Sequence, residues 1–172
     1  MNLTVLSLLN AIWLILPAYA ANGLAIFSNG RRPIDGGRSF MGKPALGEGK
    51  TWEGLVLGIA AAIIAGVLQQ QLQPYLPRDI IMMTPALALA LGAGAMAGDL
   101  AGSFIKRRLN IARGSPAPLL DQLDFLVVSV VFASFFIPIY LEWLIVLFVI
   151  TPLIHLSSNF FAFKLGLKKQ PY

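Results

Sequence analysis

Three aspartates stand where charges are expensive. Asp99, Asp121 and Asp124 each adjoin a long apolar stretch, and carboxylates at membrane-embedded helix ends usually carry a function. Asp121 and Asp124 are three residues apart, which puts both on one helix face. Acidic residues also suit a helix N-terminus through the macrodipole alone, so the pair has a bland explanation beside the chemical one. Ser103 and Lys106 follow Asp99 at four and seven positions. If that helix continues, all three share a face. No Cys or His accompanies the carboxylates, and oxygen-only ligands favour magnesium over zinc.

A second group lies upstream. Residues 29–40 read Asn-Gly-Arg-Arg-Pro-Ile-Asp-Gly-Gly-Arg-Ser-Phe, and residues 47–54 read Gly-Glu-Gly-Lys-Thr-Trp-Glu-Gly. Thr51 is a natural N-cap for the apolar helix that follows. Backbone N–H groups there, with Lys50 beside them, suit a phosphate. The segment is not a Walker A loop, since Pro44 stands where that motif needs a glycine and no strand precedes it. A basic loop resting on lipid headgroups is the alternative. A third group, Thr151, His155, Ser158 and Asn159, forms a polar stripe at helical spacing. Interhelical hydrogen bonding explains most such stripes; a polar cavity reaching the aspartates is the other reading.

The elements that must position these residues are membrane helices. The chain has 172 residues, 57% hydrophobic and 12% charged, with mean hydropathy +0.74. Soluble domains carry roughly 25% charged residues. Apolar stretches at 3–21, 52–70, 81–100, 121–138 and 140–163 predict an all-α polytopic membrane protein of about five helices. We expect a single integral membrane domain over 1–172, with loops 22–51 and 101–120 forming the active site. The first stretch has a cleavage-like Ala18-Tyr19-Ala20, but no positive charge precedes it, so a retained helix is expected. Pro138 and Glu142 mark a tight hairpin between the last two helices. There is no cysteine, which excludes disulfides and thiolate chemistry.

Charge fixes an orientation. Segment 22–51 holds Arg31, Arg32, Arg38, Lys43 and Lys50; segment 101–120 holds Lys106, Arg107, Arg108 and Arg113; the tail holds Lys164, Lys168 and Lys169. These are 12 of the 13 basic residues, and Arg78 alone falls on the other side. The positive-inside rule puts the N-terminus outside, the C-terminus in the cytosol and the active site at the cytosolic face of the cell membrane. In this setting a net charge of +5 suggests anionic headgroups rather than nucleic acid. Small residues recur every four positions at Gly54, Gly58, Ala62 and Gly66, and at Ala90, Gly94, Gly98 and Gly102. Packing seams explain both rows, and they place helices two and three at the centre of the bundle.

Basic loops, paired carboxylates and an interfacial site together suggest transfer between a soluble polyphosphate and a lipid. A lipid phosphate attacking a nucleotide α-phosphorus needs positioning and charge neutralisation rather than a strong protein base.

Ser103-Phe-Ile-Lys106-Arg107, followed by Asp121-Gln-Leu-Asp124, resembles the C-terminal motif of the phosphatidate cytidylyltransferases, the CDP-diacylglycerol synthases. Pro17-Ala-Tyr-Ala-Ala-Asn22, Pro33-Ile-Asp35-Gly-Gly and Gly47-Glu-Gly-Lys50-Thr51-Trp52 are closer to the archaeal branch, the CDP-archaeol synthases. The resemblance covers nearly the whole chain. It implies reaction of CTP with a membrane lipid phosphate, 2,3-di-O-geranylgeranylglycerol 1-phosphate, to give CDP-archaeol and pyrophosphate in phospholipid biosynthesis. Carried over by position, Asp121 and Asp124 would hold magnesium, with Asp99 as a third or outlying carboxylate. Lys106 and Arg107 would neutralise the lipid phosphate or the leaving pyrophosphate. Lys50 and Thr51, with Gly47, Gly49 and Ser103, would grip the triphosphate, and Arg31, Arg32 and Arg38 would meet either phosphate. The bacterial His-Gly-Gly is replaced by Ser115-Pro-Ala-Pro, and Gln122 occupies an arginine position. A CDP-alcohol phosphotransferase needs Asp-Gly-x-x-Ala-Arg and carboxylates spaced by four, and neither is present. A small transporter would carry charges deep within its spans and show repeat symmetry. A noncatalytic scaffold leaves the carboxylates unexplained.

Overall fold

The computed structural model describes residues 5–113, 115–164 and 166. Lys168 and Lys169 of the basic tail lie outside them. Five helices run up and down: α1 (Val5–Ala25), α2 (Trp52–Leu72), α3 (Pro85–Arg108), α4 (Leu120–Ala133) and α5 (Leu141–Lys164). All but α4 are long and apolar enough to cross a membrane. α4 has only 14 residues. A two-residue hairpin, β1 (Ser39–Phe40) with β2 (Lys43–Pro44), lies in the first loop and adds a small sheet to an otherwise all-α fold. Its turn, Met41-Gly42, has both φ angles positive, as a tight hairpin needs.

Local chemistry sets the helix starts. Thr51 Oγ1 accepts from Gly54 N at 3.2 Å, so the expected cap of α2 is present. Thr84 Oγ1 accepts from Leu87 N at 3.1 Å, and Pro85 takes the first helical position, where a missing N–H costs nothing. α3 therefore begins at 85, not 81. Residues 81–83 are apolar but not helical, and Met83 is fully buried. Asn10 pins this segment, donating to Asp79 O and accepting from Ile81 N.

The helix ends depart further from expectation. α1 continues to Ala25 and α3 to Arg108, so the second loop shrinks to 109–119. Ser103, Lys106 and Arg107 are therefore helical rather than in the loop. Residues 101–108 contain no proline, and Lys106, Arg107 and Arg108 fill the last turn, where the helix dipole favours cations. α4 stops at Ala133, not 138. Ser134 Oγ donates back to Val131 O at 2.7 Å, and Pro138 disfavours helix in the residue before it. A seven-residue connection, 134–140, replaces the expected tight hairpin.

The two rows of small residues do not face each other throughout. Gly58 and Gly66 of α2 lie against Met96 and Ala88 of α3, and Gly58 also approaches Ala21 O of α1. The row on α3 serves α4: a Cβ at Gly94 would meet Ser129 Cα at 2.7 Å, and one at Gly98 would meet Phe125 Cα at 2.7 Å. Ser129 Oγ donates across this seam to Leu91 O at 3.1 Å. The centre of the bundle is α3, with α2 on one flank and α4 on another, rather than the α2/α3 pair. Leu14, Ile15, Leu87, Leu91, Phe125, Leu126 and Leu147 fill the core around it.

Candidate active site

The end of α1, the starts of α2 and α4 and the end of α3 meet at one end of the bundle, where three clefts join. The first, about 420 Å³, lies between α1, the first loop and α3, and is lined by Asn22, Ser28, Asn29, Glu48, Lys50, Thr51, Asp99 and Arg113 among others. The second, about 460 Å³, lies between α1, α4 and α5, and holds Asp99, Lys106, Asp121 and Asp124 with Tyr19, Phe125, Ile154 and the α5 stripe. The third, about 150 Å³, is lined by Leu46, Gly47, Gly49, Lys50, Ser103, Lys106, Arg107 and Arg113. Asp99 belongs to the first and second, Lys50 and Arg113 to the first and third, and Lys106 to the second and third. The clefts are compartments of one site.

Ion pairs organise the junction. Lys50 Nζ lies 2.6 Å from both carboxylate oxygens of Asp99. Lys106 Nζ donates to Asp121 Oδ1, whose partner Oδ2 accepts from Ala117 N at 2.8 Å. The chain turns sharply just before α4, with Leu119 at φ 66°. Asp121 Oδ2 ties the turn back to the helix start through Ala117 N, while the N-cap Leu119 makes no side-chain cap bond. Asp124 differs. Its carboxylate accepts from Phe125 N at 2.6 Å and has no cationic partner among the described residues. Gly102 makes room for it, since a methyl group there would overlap the Asp124 carboxylate.

The first loop is held in place rather than draped. Asp35 accepts from Gly37 N at 3.0 Å and from Leu46 N and Gly47 N at 2.9 Å each. The bonds from Leu46 and Gly47, ahead of that from Gly37, hold its carboxyl below the usual range. Arg108 ties the hairpin to α3. Its guanidinium donates to Phe40 O, Lys43 O and Pro44 O and lies over the Phe40 and Phe104 rings, at 5.4 and 4.8 Å from their centroids. Lys43 Nζ returns a bond to Arg108 O at 3.0 Å.

Most of the expected site residues converge: Asp99, Asp121, Asp124, Lys50, Lys106, Arg107, Ser103, Gly47, Gly49 and Thr51 all line one or more compartments. Thr51 is 7% exposed, and its hydroxyl oxygen serves the α2 cap. Arg107 has no ion-pair partner among the described residues, and its Nε is buried without a hydrogen bond. Arg31, Arg32 and Arg38 do not join them. All three are exposed and line none of the compartments, and Arg32 is spent on Glu53, Nε to Oε1 at 3.2 Å. They point to solvent because the loop between them is anchored by backbone bonds: Ile34 N to Lys50 O, and Trp52 N to Arg32 O. Sequence reasoning missed Arg113, which lines two compartments and pairs with Glu48 at 3.2 Å, and the organising roles of Arg108 and Asp35. Asp35-Gly36-Gly37 carried a legible turn signal; Arg108 carried none beyond its charge.

Helices long and apolar enough to cross a membrane, with most charges gathered at one end, define a multi-pass helical membrane protein. The comparisons give the family. Residues 3–172 match the model of the CarS-like, CDP-archaeol synthase family. Relatives named CDP-archaeol synthase include one from Thermococcus gammatolerans, 45% identical, with 94% of this chain and 95% of the relative covered. One from Halobacterium salinarum is 41% identical at the same coverage, and one from Pyrococcus horikoshii is 45% identical over 96% and 97%. A solved structure described as an intramembrane enzyme for archaeal membrane lipids biosynthesis is similar, with TM-score 0.79 and 41% identity, over 87% of this chain and 92% of that one. The chain belongs to the CDP-archaeol synthase family.

Proposed function

We propose that this enzyme transfers the CMP group of CTP to a membrane lipid phosphate, 2,3-di-O-geranylgeranylglycerol 1-phosphate, giving CDP-archaeol and pyrophosphate. Family membership supports the reaction. The observation that carries its geometry is the meeting, at Asp99, of a polar cleft beneath the glycine-rich loop with a second cleft bounded by membrane helices. CTP enters the first and extends its phosphates toward the third, where Lys50, Lys106, Arg107 and Arg113 converge. The lipid phosphate enters the second, its tails remaining in the bilayer.

In the reaction, a phosphate oxygen of the lipid attacks the α-phosphorus of CTP. The bond from that phosphorus to the α,β-bridging oxygen breaks, and the electron pair leaves with pyrophosphate. The nucleophile is already an anion, so no protein base is required. The chain's task is to bring two anions together and to hold the charge that grows on the leaving group. Lys106 reaches both the second and third clefts and so stands between nucleophile and leaving group. The unpaired Arg107 adds a cation on the leaving-group side.

A divalent cation fits the donor set. Among the described residues no three acidic or His side chains form a preassembled metal cluster, and Lys50 and Lys106 pair with Asp99 and Asp121. Asp124 nonetheless offers a half-buried carboxylate with no cationic partner. Asp124 and Asp121 would hold magnesium, with Asp99 beside them, and the ion would neutralise triphosphate charge. We place this site at the cytosolic face, with the N-terminus outside and the C-terminus cytosolic, from the one-sided placement of basic residues.

The test is purified protein with radiolabelled CTP, magnesium and a panel of lipid phosphates. A CDP-lipid and pyrophosphate in equal amounts are expected. No CDP-lipid from any phosphate monoester would overturn the reading.

A further inference from the structure

Transfer happens where the two substrates touch, and few side chains reach that place. Among the described residues, Asn22, Ile26 and Asp99 line both the first cleft and the second. Ile26 offers no polar atom. Asp99 is engaged by Lys50 through both carboxylate oxygens, at 2.6 Å each, and its charge repels phosphate. Asn22 brings a neutral amide with two N–H donors and a carbonyl acceptor.

Asn22 sits in the last turn of α1 and is half-buried, yet its side chain makes no hydrogen bond to another described residue. Asn10, on the same helix, shows what an asparagine engaged in structure looks like. It is 5% exposed, donates to Asp79 O and accepts from Ile81 N. Polar side chains in membrane helices are costly and usually serve a function, and Asn22 has no structural bond to account for it. The space beside it is open. At Gly23, the next residue and part of the second cleft, an added Cβ would have no neighbour within 4 Å.

We propose that Asn22 is a catalytic residue of the transfer, its amide N–H donating to a non-bridging oxygen of the CTP α-phosphate. This role rests on the transfer proposed above and names a residue at the reacting phosphorus. That phosphorus belongs at the junction of the clefts, because it is bonded to the nucleotide in the first and attacked by the lipid oxygen from the second. As the attack proceeds, charge builds on its non-bridging oxygens, and a donor already in place stabilises them without reorganising. Asn22 moves no proton and forms no covalent bond. The bonds made and broken are those already given, between the lipid oxygen, the α-phosphorus and the departing pyrophosphate.

The experiment is steady-state kinetics with CTP and the lipid phosphate varied independently, on wild type, Asn22→Leu and Asn22→Asp, repeated with each α-thio diastereomer of CTP. Leucine is close in size but cannot hydrogen-bond. Asn22→Leu is expected to lower kcat roughly tenfold to 150-fold, the loss of one hydrogen bond to a charged group, with both KM values within about threefold of wild type. Asn22→Asp keeps the shape but sets a carboxylate against the phosphate, so its kcat should be lower still. Sulfur is a weak acceptor. With the diastereomer whose sulfur faces Asn22, the loss in Asn22→Leu should therefore shrink to about threefold or less; with the other it should persist in full. A purely structural asparagine would not tell the two diastereomers apart. A kcat near wild type in folded Asn22→Leu, a loss confined to KM, or an equal loss with CTP and both thio analogues would overturn the assignment. If Asn22→Leu does not fold, Asn22→Ser, polar but too short to reach the oxygen, carries the same comparison. A wild type that forms no CDP-lipid at all would instead overturn the proposed function, so the two failures are distinguishable.

Discussion

At the scale of single residues, the site contrasts carboxylates already paired with one that is not. Asp124 forms no ion pair among the described residues, whereas Asp99 and Asp121 are held by Lys50 and Lys106. Asp124→Asn keeps the size and one oxygen but removes the charge a hard cation needs. Turnover at saturating magnesium is expected to fall by orders of magnitude while the protein still purifies folded; near-wild-type turnover would refute the metal role. Lys50→Ala is expected to lower kcat/KM for CTP roughly tenfold to 150-fold through loss of a charge-assisted contact, a larger effect than its disturbance of folding. These aspartates and lysines were legible in the sequence because charges beside apolar stretches are few. Arg31, Arg32 and Arg38 lie outside the three clefts, and that placement was not legible because their loop's path depends on bonds that no local pattern announces, such as Trp52 N to Arg32 O. Arg113 went unassigned for the same reason: its partner, Glu48, lies in the other loop.

At the scale of elements, the first loop is as much a built part as any helix. Its hub is Asp35, whose carboxyl is held below its usual range by backbone donors. A folded-state pKa below the unfolded value contributes stability above the unfolded pKa, about 3.9, and that contribution is lost as pH falls through the folded value. Asp35→Ala is therefore expected to raise KM for CTP at neutral pH, and wild type should approach the variant only in strong acid; equal CTP kinetics at pH 7 would count against the hub. The turn into α4 offers a separate check. Leu119 at φ 66° sits in a conformation that β-branched residues tolerate worst. Leu119→Val should cost about 1 kcal/mol or more in unfolding stability, and Leu119→Gly little or nothing; the reverse order would rule out backbone strain there. Hydropathy located the five helices but not their ends. The first turn of α3 depended on Pro85 rather than on the apolar Ile81, and its last turns continued through charged residues that hydropathy counts as loop.

At the scale of the molecule, one end of the bundle carries most of the charge, and the other carries aromatic side chains: Tyr75, Phe135, Phe136 and Tyr140 are all exposed there. The proposed orientation predicts that cysteine at Ser39 labels from the cytosol and cysteine at Tyr75 only from outside. Labelling of both from one side would sink it. The length of α4 has a consequence for the surrounding lipid. Fourteen residues span about 21 Å, against roughly 30 Å of hydrocarbon in an ordinary bilayer. If the exposed Phe135 and Phe136 anchor at one interface, a helix of this length leaves Asp121 and Asp124 short of the opposite one. The bilayer beside α4 must then thin, or the headgroup region must dip to meet the aspartates. A phosphate head entering there need not be lifted out of the membrane to react; the membrane surface descends to the enzyme. Activity in vesicles should accordingly rise as the hydrocarbon thickness of the host lipid falls toward the length of α4, and a rate indifferent to thickness would show that the short helix leaves the bilayer undeformed.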